Sequence, residues 1–167
     1  AIDSGVPHLV IDAVEGGWMT TPLFIRGENR TFQFEDGAVI MAKKGAFIPL
    51  YERLLLIVDS KNVKLIGGGK LKMRRDDYVK PPYLKGEWRA ALYLKHSKDI
   101  VIDGLTFEES GGDGITVGIG SENITIRNCI CDRNFRQGIS VLDASGLLIE
   151  NCKLINTTGT PPASGID

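Results

Sequence analysis

The sequence lacks most features that announce a functional class. No unbroken apolar run reaches the roughly 18 residues that a membrane helix needs. Twenty Lys and Arg stand against 21 Asp and Glu, a formal net charge of −1, without the basic surplus of a nucleic-acid binder. With two histidines, His8 and His96, and three cysteines, Cys129, Cys131 and Cys152, a zinc site is poorly supplied, and no metal or cofactor is expected. Gly67-Gly68-Gly69 lacks both the Lys-Ser/Thr of a phosphate loop and a following helical pattern, which argues against nucleotide binding. No 3.6-residue apolar stripe appears after residue 30, so helices are not the building unit. The chain opens without Met and without a leader-like segment, and reads as a mature product or a fragment.

What is present is a repeat. Twenty glycines and many Asn and Asp residues supply tight turns. Between them one phrase recurs: Asp99-Ile100-Val101-Ile102-Asp103-Gly104-Leu105, then Asn123-Ile124-Thr125-Ile126-Arg127-Asn128-Cys129, then Gly146-Leu147-Leu148-Ile149-Glu150-Asn151-Cys152. Ile100 to Ile124 is 24 residues and Ile124 to Leu147 is 23. A second phrase lies between the copies: Ala91-Leu92-Tyr93-Leu94, Gly114-Ile115-Thr116-Val117, Gly138-Ile139-Ser140-Val141 and Gly165-Ile166-Asp167, in steps of 23, 24 and 27 residues. Alternating Ile and Val bounded by Gly or Asn favours strands.

Three short strands per period imply a coil in which each strand pairs with its equivalent one turn later, about 4.8 Å away. The expected fold is an all-β parallel β-helix with about 23–27 residues per rung. Leu92, Ile115, Ile139 and Ile166 form an inward column, and Tyr93, Thr116, Ser140 and Asp167 an outward one. Asp103, Arg127 and Glu150 stack outward on another face. Cys129 and Cys152 are equivalent to Leu105, which makes them small buried side chains. Asp132, Asn134 and Asn156 read as turn residues. His8–Asp12, Arg30–Ile40 and Asn62–Gly69 fit the pattern more loosely. The coil is expected to be incomplete at both ends: the chain stops inside a rung, and Ala1–Gly5 reads as the tail of a cap. Residues 1–167 then form part of one domain, completed by further rungs or by another chain.

These phrases, notably Ser110-Gly111-Gly112-Asp113-Gly114-Ile115, Asn123–Cys129 and Gly146–Cys152, resemble rungs of right-handed parallel β-helix proteins of the pectin-lyase-like superfamily. Glu87-Trp88-Arg89 with Gly111–Ile115, Arg136–Val141 and Gly165–Asp167 is most similar to bacterial β-helix proteins grouped with glycoside hydrolases. The resemblance implies a polysaccharide or oligosaccharide partner, an acidic one included, and an extracellular or periplasmic location. The paired Asp cluster of pectate lyase calcium sites is missing. So are the Asp-Pro-His-Glu of mannuronan epimerases and the Asn-Thr-Asp-Gly and Gly-His-Gly motifs of polygalacturonases.

Candidate site residues fall in two places. An inserted loop at 70–89 carries seven Lys or Arg against three Asp or Glu, with Tyr78, Tyr83 and Trp88 among them. Arg74, Arg75 and Arg89 could pair with carboxylate or sulfate, and the three aromatics could stack on sugar rings. The second ladder offers Asp113, Asp143 and Asp167 as carboxyl groups for acid and base, with Arg136 and Gln137 as substrate contacts. Glycoside hydrolysis needs two carboxyls, about 5–5.5 Å apart for retention and about 6.5–9.5 Å for inversion. Asp113 and Asp167, two rungs apart, suit inversion. The leading expectation is a secreted glycoside hydrolase. The alternatives are a non-catalytic tailspike or adhesin-type β-helix and a uronan lyase or epimerase.

Overall fold

The computed structural model describes residues 1–167. A 3-10 turn at Ile2–Ser4 precedes sixteen strands: β1 (His8–Ile11), β2 (Trp18–Thr20), β3 (Leu23–Phe34), β4 (Val39–Ala42), β5 (Leu55–Gly67), β6 (Lys70–Lys72), β7 (Leu92–Lys95), β8 (Lys98–Asp103), β9 (Thr106–Glu108), β10 (Asp113–Val117), β11 (Ser121–Arg127), β12 (Ile130–Asp132), β13 (Gln137–Val141), β14 (Ala144–Glu150), β15 (Lys153–Ile155) and β16 (Ser164–Ile166). Every ladder between them is parallel. The chain therefore coils with three faces. One runs through β1, the second halves of β3 and β5, then β8, β11 and β14. A second is β2-β4-β6-β9-β12-β15. The third runs through the first halves of β3 and β5, then β7, β10, β13 and β16.

In-register pairing turns the repeat into columns. Val63, Ile100, Ile124 and Leu147 stack inward on the first face, Leu71, Phe107, Cys131 and Leu154 on the second, and Leu55, Leu92, Ile115, Ile139 and Ile166 on the third. Thirty buried residues form one continuous cluster, so the coil has a single core. Cys129 is buried as expected and so is Cys131, while Cys152 is only half-buried. Burial pushes the Cys129 thiol up to about 12 and Cys131 well above its ordinary value, which disfavours the thiolate of both. Arg30 also points inward, over the Phe32 ring at 4.8 Å, and donates to the carbonyls of Ile2 and Val6.

The corners explain the Asn content. Asn29, Asn62, Asp99 and Asn123 all take left-handed backbone, as do Asn128, Asn151 and Asn156. Asn and Asp tolerate that region and stack amide on carboxylate from rung to rung. Asn123 Nδ2 donates to Asp99 Oδ1 at 3.0 Å, and Asn156 Nδ2 donates to Asp132 Oδ1 at 2.8 Å. Asn134 does not belong to this set. It is fully buried, accepts from Ser110 N–H through Oδ1 and donates to the Phe107 carbonyl through Nδ2. Its corner is occupied by Arg133 instead, at φ 55°. On the first face, Arg127 Nε donates to Asp103 Oδ2 at 2.8 Å, the expected alternating-charge stack.

The inserted loop is shorter than expected. Lys70–Lys72 is β6, a regular rung strand paired with β4 and β9, and its lysines bridge Glu108 at 2.8 and 3.0 Å. The excursion begins at Met73, because Leu71 continues the inward column. A second irregular segment, residues 43–54, enters the third face just before β5 and packs beside it.

Candidate functional site

The third face carries the site, and its outward column sets the chemistry. From one end to the other the column reads Phe24, Leu56, Tyr93, Thr116 and Ser140. Alternation turns these side chains away from the core, and residues 43–54 wall one side. Between them lies a groove of about 300 Å³, lined by Phe24, Tyr51, Glu52, Arg53, Leu56, Tyr93, Lys95 and Pro22. Tyr51 and Trp88 stack at its edge, with ring centroids 5.2 Å apart and planes within 15°. Both are exposed to solvent. Arg53 lies over Tyr93 at 4.6 Å and over Tyr51 at 5.7 Å.

Further along the face, Asp113 and Gln137 are register partners. Asp113 is buried, and Arg136 grips it twice, Nε to Oδ1 at 2.9 Å and Nη2 to Oδ2 at 2.7 Å. Thr116 Oγ1 also donates to Asp113 Oδ2, at 2.8 Å. The Asp113 hydrogen bond is the main cause holding the Arg136 guanidinium above its ordinary value. Gln137 Nε2 donates to Asp167 Oδ2, which brings the second expected carboxyl to the same cluster, while Gln137 Oε1 is buried without a partner. Gly114 and Gly138 are the second residues of β10 and β13, pressed close to the neighbouring rung. A Cβ on Gly114 would stand 2.7 Å from Asn134 Nδ2 and 2.9 Å from Cys131 Sγ.

The remaining expected residues are placed elsewhere. Asp143 is exposed beyond the far end of β13, where its Oδ2 accepts from Gly120 N–H at 3.1 Å. Arg89 is fully buried. It donates to the carbonyls of Phe47, Ile48 and Leu84 at 2.6–2.7 Å and of Gly86 at 3.3 Å, and faces the Tyr78 ring. Burial pulls its guanidinium below its ordinary value. Tyr78 and Tyr83 are buried edge to face at 5.1 Å, and the Tyr83 hydroxyl accepts from Gly45 N–H at 2.8 Å. Burial, then the neighbouring Tyr83, pushes the Tyr78 phenol far above its usual range. Arg74 pairs with Asp77 at 2.7 Å. Arg75 donates to Thr158 and lies over Phe135, tying the loop to a later rung. Of the three loop aromatics, only Trp88 is exposed, and it reaches the groove edge through its stack on Tyr51.

Tyr51, Arg53, Tyr93 and Phe24 complete the groove, and they were not singled out from sequence. Tyr93 and Phe24 carried a signal: each places a large ring on an outward position where Thr116 and Ser140 are small and polar. Tyr51 and Arg53 carried none, since they precede a strand in an irregular segment.

The family described as right-handed β-helix region matches residues 83–166. Among curated proteins, the chain is similar to the uncharacterized protein YclG of Bacillus subtilis (strain 168). The identity is 29% over 121 residues, covering 61% of this chain and 20% of that protein. The chain thus spans about a fifth of that relative's length. Among solved structures, it is similar to a candidate glycosyl hydrolase from Parabacteroides merdae, with TM-score 0.55 and 15% identity over 87% of this chain and 81% of that one. That likeness is one of fold. The stacked columns, the parallel ladders and the family match over half the chain agree, and the chain belongs to the right-handed parallel β-helix family.

Proposed function

We propose that the protein binds a polysaccharide along the third face and forms part of a glycoside hydrolase acting outside the cytoplasm. The groove is the observation that carries this reading. Exposed, stacked Tyr51 and Trp88 offer flat apolar faces to sugar rings, and Tyr93, fixed on the strand ladder, lies beside them under Arg53. The fold neighbour described as a candidate glycosyl hydrolase points the same way.

Hydrolysis would draw on the carboxyl cluster next to the groove. Asp113 and Asp167 are two rungs apart, about 9.6 Å along the coil axis by rung spacing. Asp167 is offset by three further residues along the strand, opposite Ser140 rather than Gln137, so of the two geometries only the wider, inverting one is approached. In this reading Asp113 takes a proton from the attacking water, and Asp167 gives a proton to the leaving glycosidic oxygen. A non-catalytic carbohydrate-binding β-helix is the second reading. It is favoured by the occupation of both Asp113 oxygens by Arg136 and Thr116. The lyase or epimerase reading draws less support, because four of its five candidate cations, Arg74, Arg75, Arg89 and Arg136, with Lys85 the fifth, are engaged within the protein.

A polysaccharide panel separates these readings. New reducing ends identify hydrolysis, ultraviolet absorbance of unsaturated uronate identifies elimination, and binding without product identifies a binding module. Asp113→Asn abolishes turnover if hydrolysis proceeds as written. Failure of every polysaccharide to bind would overturn the carbohydrate reading itself.

A further inference from the structure

The groove contains a cation without a counter-ion. Arg53 lies half-buried between the rings of Tyr51 and Tyr93, and its Nε is buried with no hydrogen-bond partner. It forms no ion pair, unlike Arg136, which is closed on Asp113 at 2.7 Å. Burial pulls the Arg53 guanidinium below its ordinary value, opposed by Tyr93, Asp113 and Tyr51. None of these neighbours neutralises it at contact distance. The one carboxylate lining the groove, Glu52, leaves Oε2 buried and unbonded, and its field acts on buried Arg89. Lys95 adds a second positive charge at the groove wall.

A guanidinium keeps five donors in a planar fork, and leaving it half-desolvated without an acceptor is costly. The two tyrosine rings hold the plane in place, so the fork is oriented before any ligand arrives. An acceptor that meets a planar fork with two oxygens completes the site.

Resting on the carbohydrate reading of this groove, we infer that Arg53 selects glycans bearing an anionic oxygen pair, a uronate carboxylate or a sulfate ester, over their neutral counterparts. The selecting residue lies on the segment before β5. The basic loop that drew attention in the sequence turns its own arginines inward or onto neighbouring rungs.

The test measures binding by calorimetry to four short oligosaccharides: galacturonate, its methyl ester, neutral galactose and galactose 6-sulfate. The protein is expected to bind a charged oligosaccharide about tenfold to a hundredfold more tightly than its neutral partner. Added salt should shrink that preference. Preference for galacturonate over its methyl ester assigns the carboxylate, and preference for the sulfated over the plain sugar assigns the sulfate. Arg53→Gln, with its unfolding midpoint checked, brings the ratio of charged to neutral binding down to about one. Equal binding of charged and neutral forms, or a preference that survives Arg53→Gln, overturns the inference and leaves the groove reading standing. If no sugar binds, the groove reading falls, and the inference with it.

Discussion

Arg89 and Arg53 stand on neighbouring segments against the same face, each next to tyrosine rings, and they do opposite things. Arg89 is sealed inside and saturated by four backbone carbonyls that belong to two irregular stretches, residues 47–48 and 84–86. Arg53 faces a groove and has no ion-pair partner. The first is a fastener that closes the loops over the coil. The second is a contact held open. Residue type did not decide between these roles. What decided was whether orphaned carbonyls stood within reach, since irregular backbone cannot satisfy its own acceptors and draws in a multidentate donor.

The largest expected effect breaks this contrast at its structural side. Arg89→Met keeps the volume but strands four carbonyls, and should cost about 3 kcal/mol or more in urea unfolding. Arg53→Met should cost under about 1 kcal/mol, because no hydrogen bond is lost. Equal losses would mean that both arginines are fasteners.

The groove side is sharpened next. Trp88→Ala or Tyr51→Ala should weaken oligosaccharide binding about tenfold, and the double variant should fall short of the product of the two, because each ring positions the other. Calorimetry reads both quantities, and additive effects would show that the two rings act apart. On the buried side, Tyr83→Phe removes the acceptor of Gly45 N–H and should cost about 1 kcal/mol with sugar binding intact. A loss of binding in that variant would blur the division between fastening and contacting residues.

The smallest effect lies outside both loops and serves as a control. Burial alone would raise the Glu108 carboxyl, but Lys70 and Lys72 outweigh it and hold the group below its usual value. A folded value below the unfolded one means stabilisation above about pH 4.3 that disappears as pH falls through the lower folded value. Glu108→Gln should therefore flatten the stability curve between about pH 5 and pH 3, by under about 1 kcal/mol, since the lysines are partly exposed. Denaturation across that range checks it, and an unchanged curve would show that the lysine bridges do not stabilise the fold.

Much of the coil was legible because its information is local and repeated. Ile100, Ile124 and Leu147 announce one column by spacing alone, and the register that pairs them is forced: a slip of one residue would turn every apolar side chain outward. The Asp113–Gln137 pairing, with Arg136 beside it, followed from the same arithmetic. Asn134 was misread because a turn position and the buried position next to it favour the same residue type. Lys70–Lys72 was taken for loop because two lysines flanking one leucine hide a strand whose outward side chains bridge Glu108.

The sequence by itself determined the period, the inward columns and the alternation that sends Tyr93, Thr116 and Ser140 outward, because a repeating coil needs only neighbouring rungs to define itself. The tertiary structure alone decided which outward and loop residues are free. Arg89 meets the Phe47 carbonyl across 42 residues, and Arg75 meets Thr158 across 83. Contacts of that span leave no periodic trace. They close only when the coil has brought distant segments onto one face, and they separate the arginines that hold this protein together from the one that awaits a ligand.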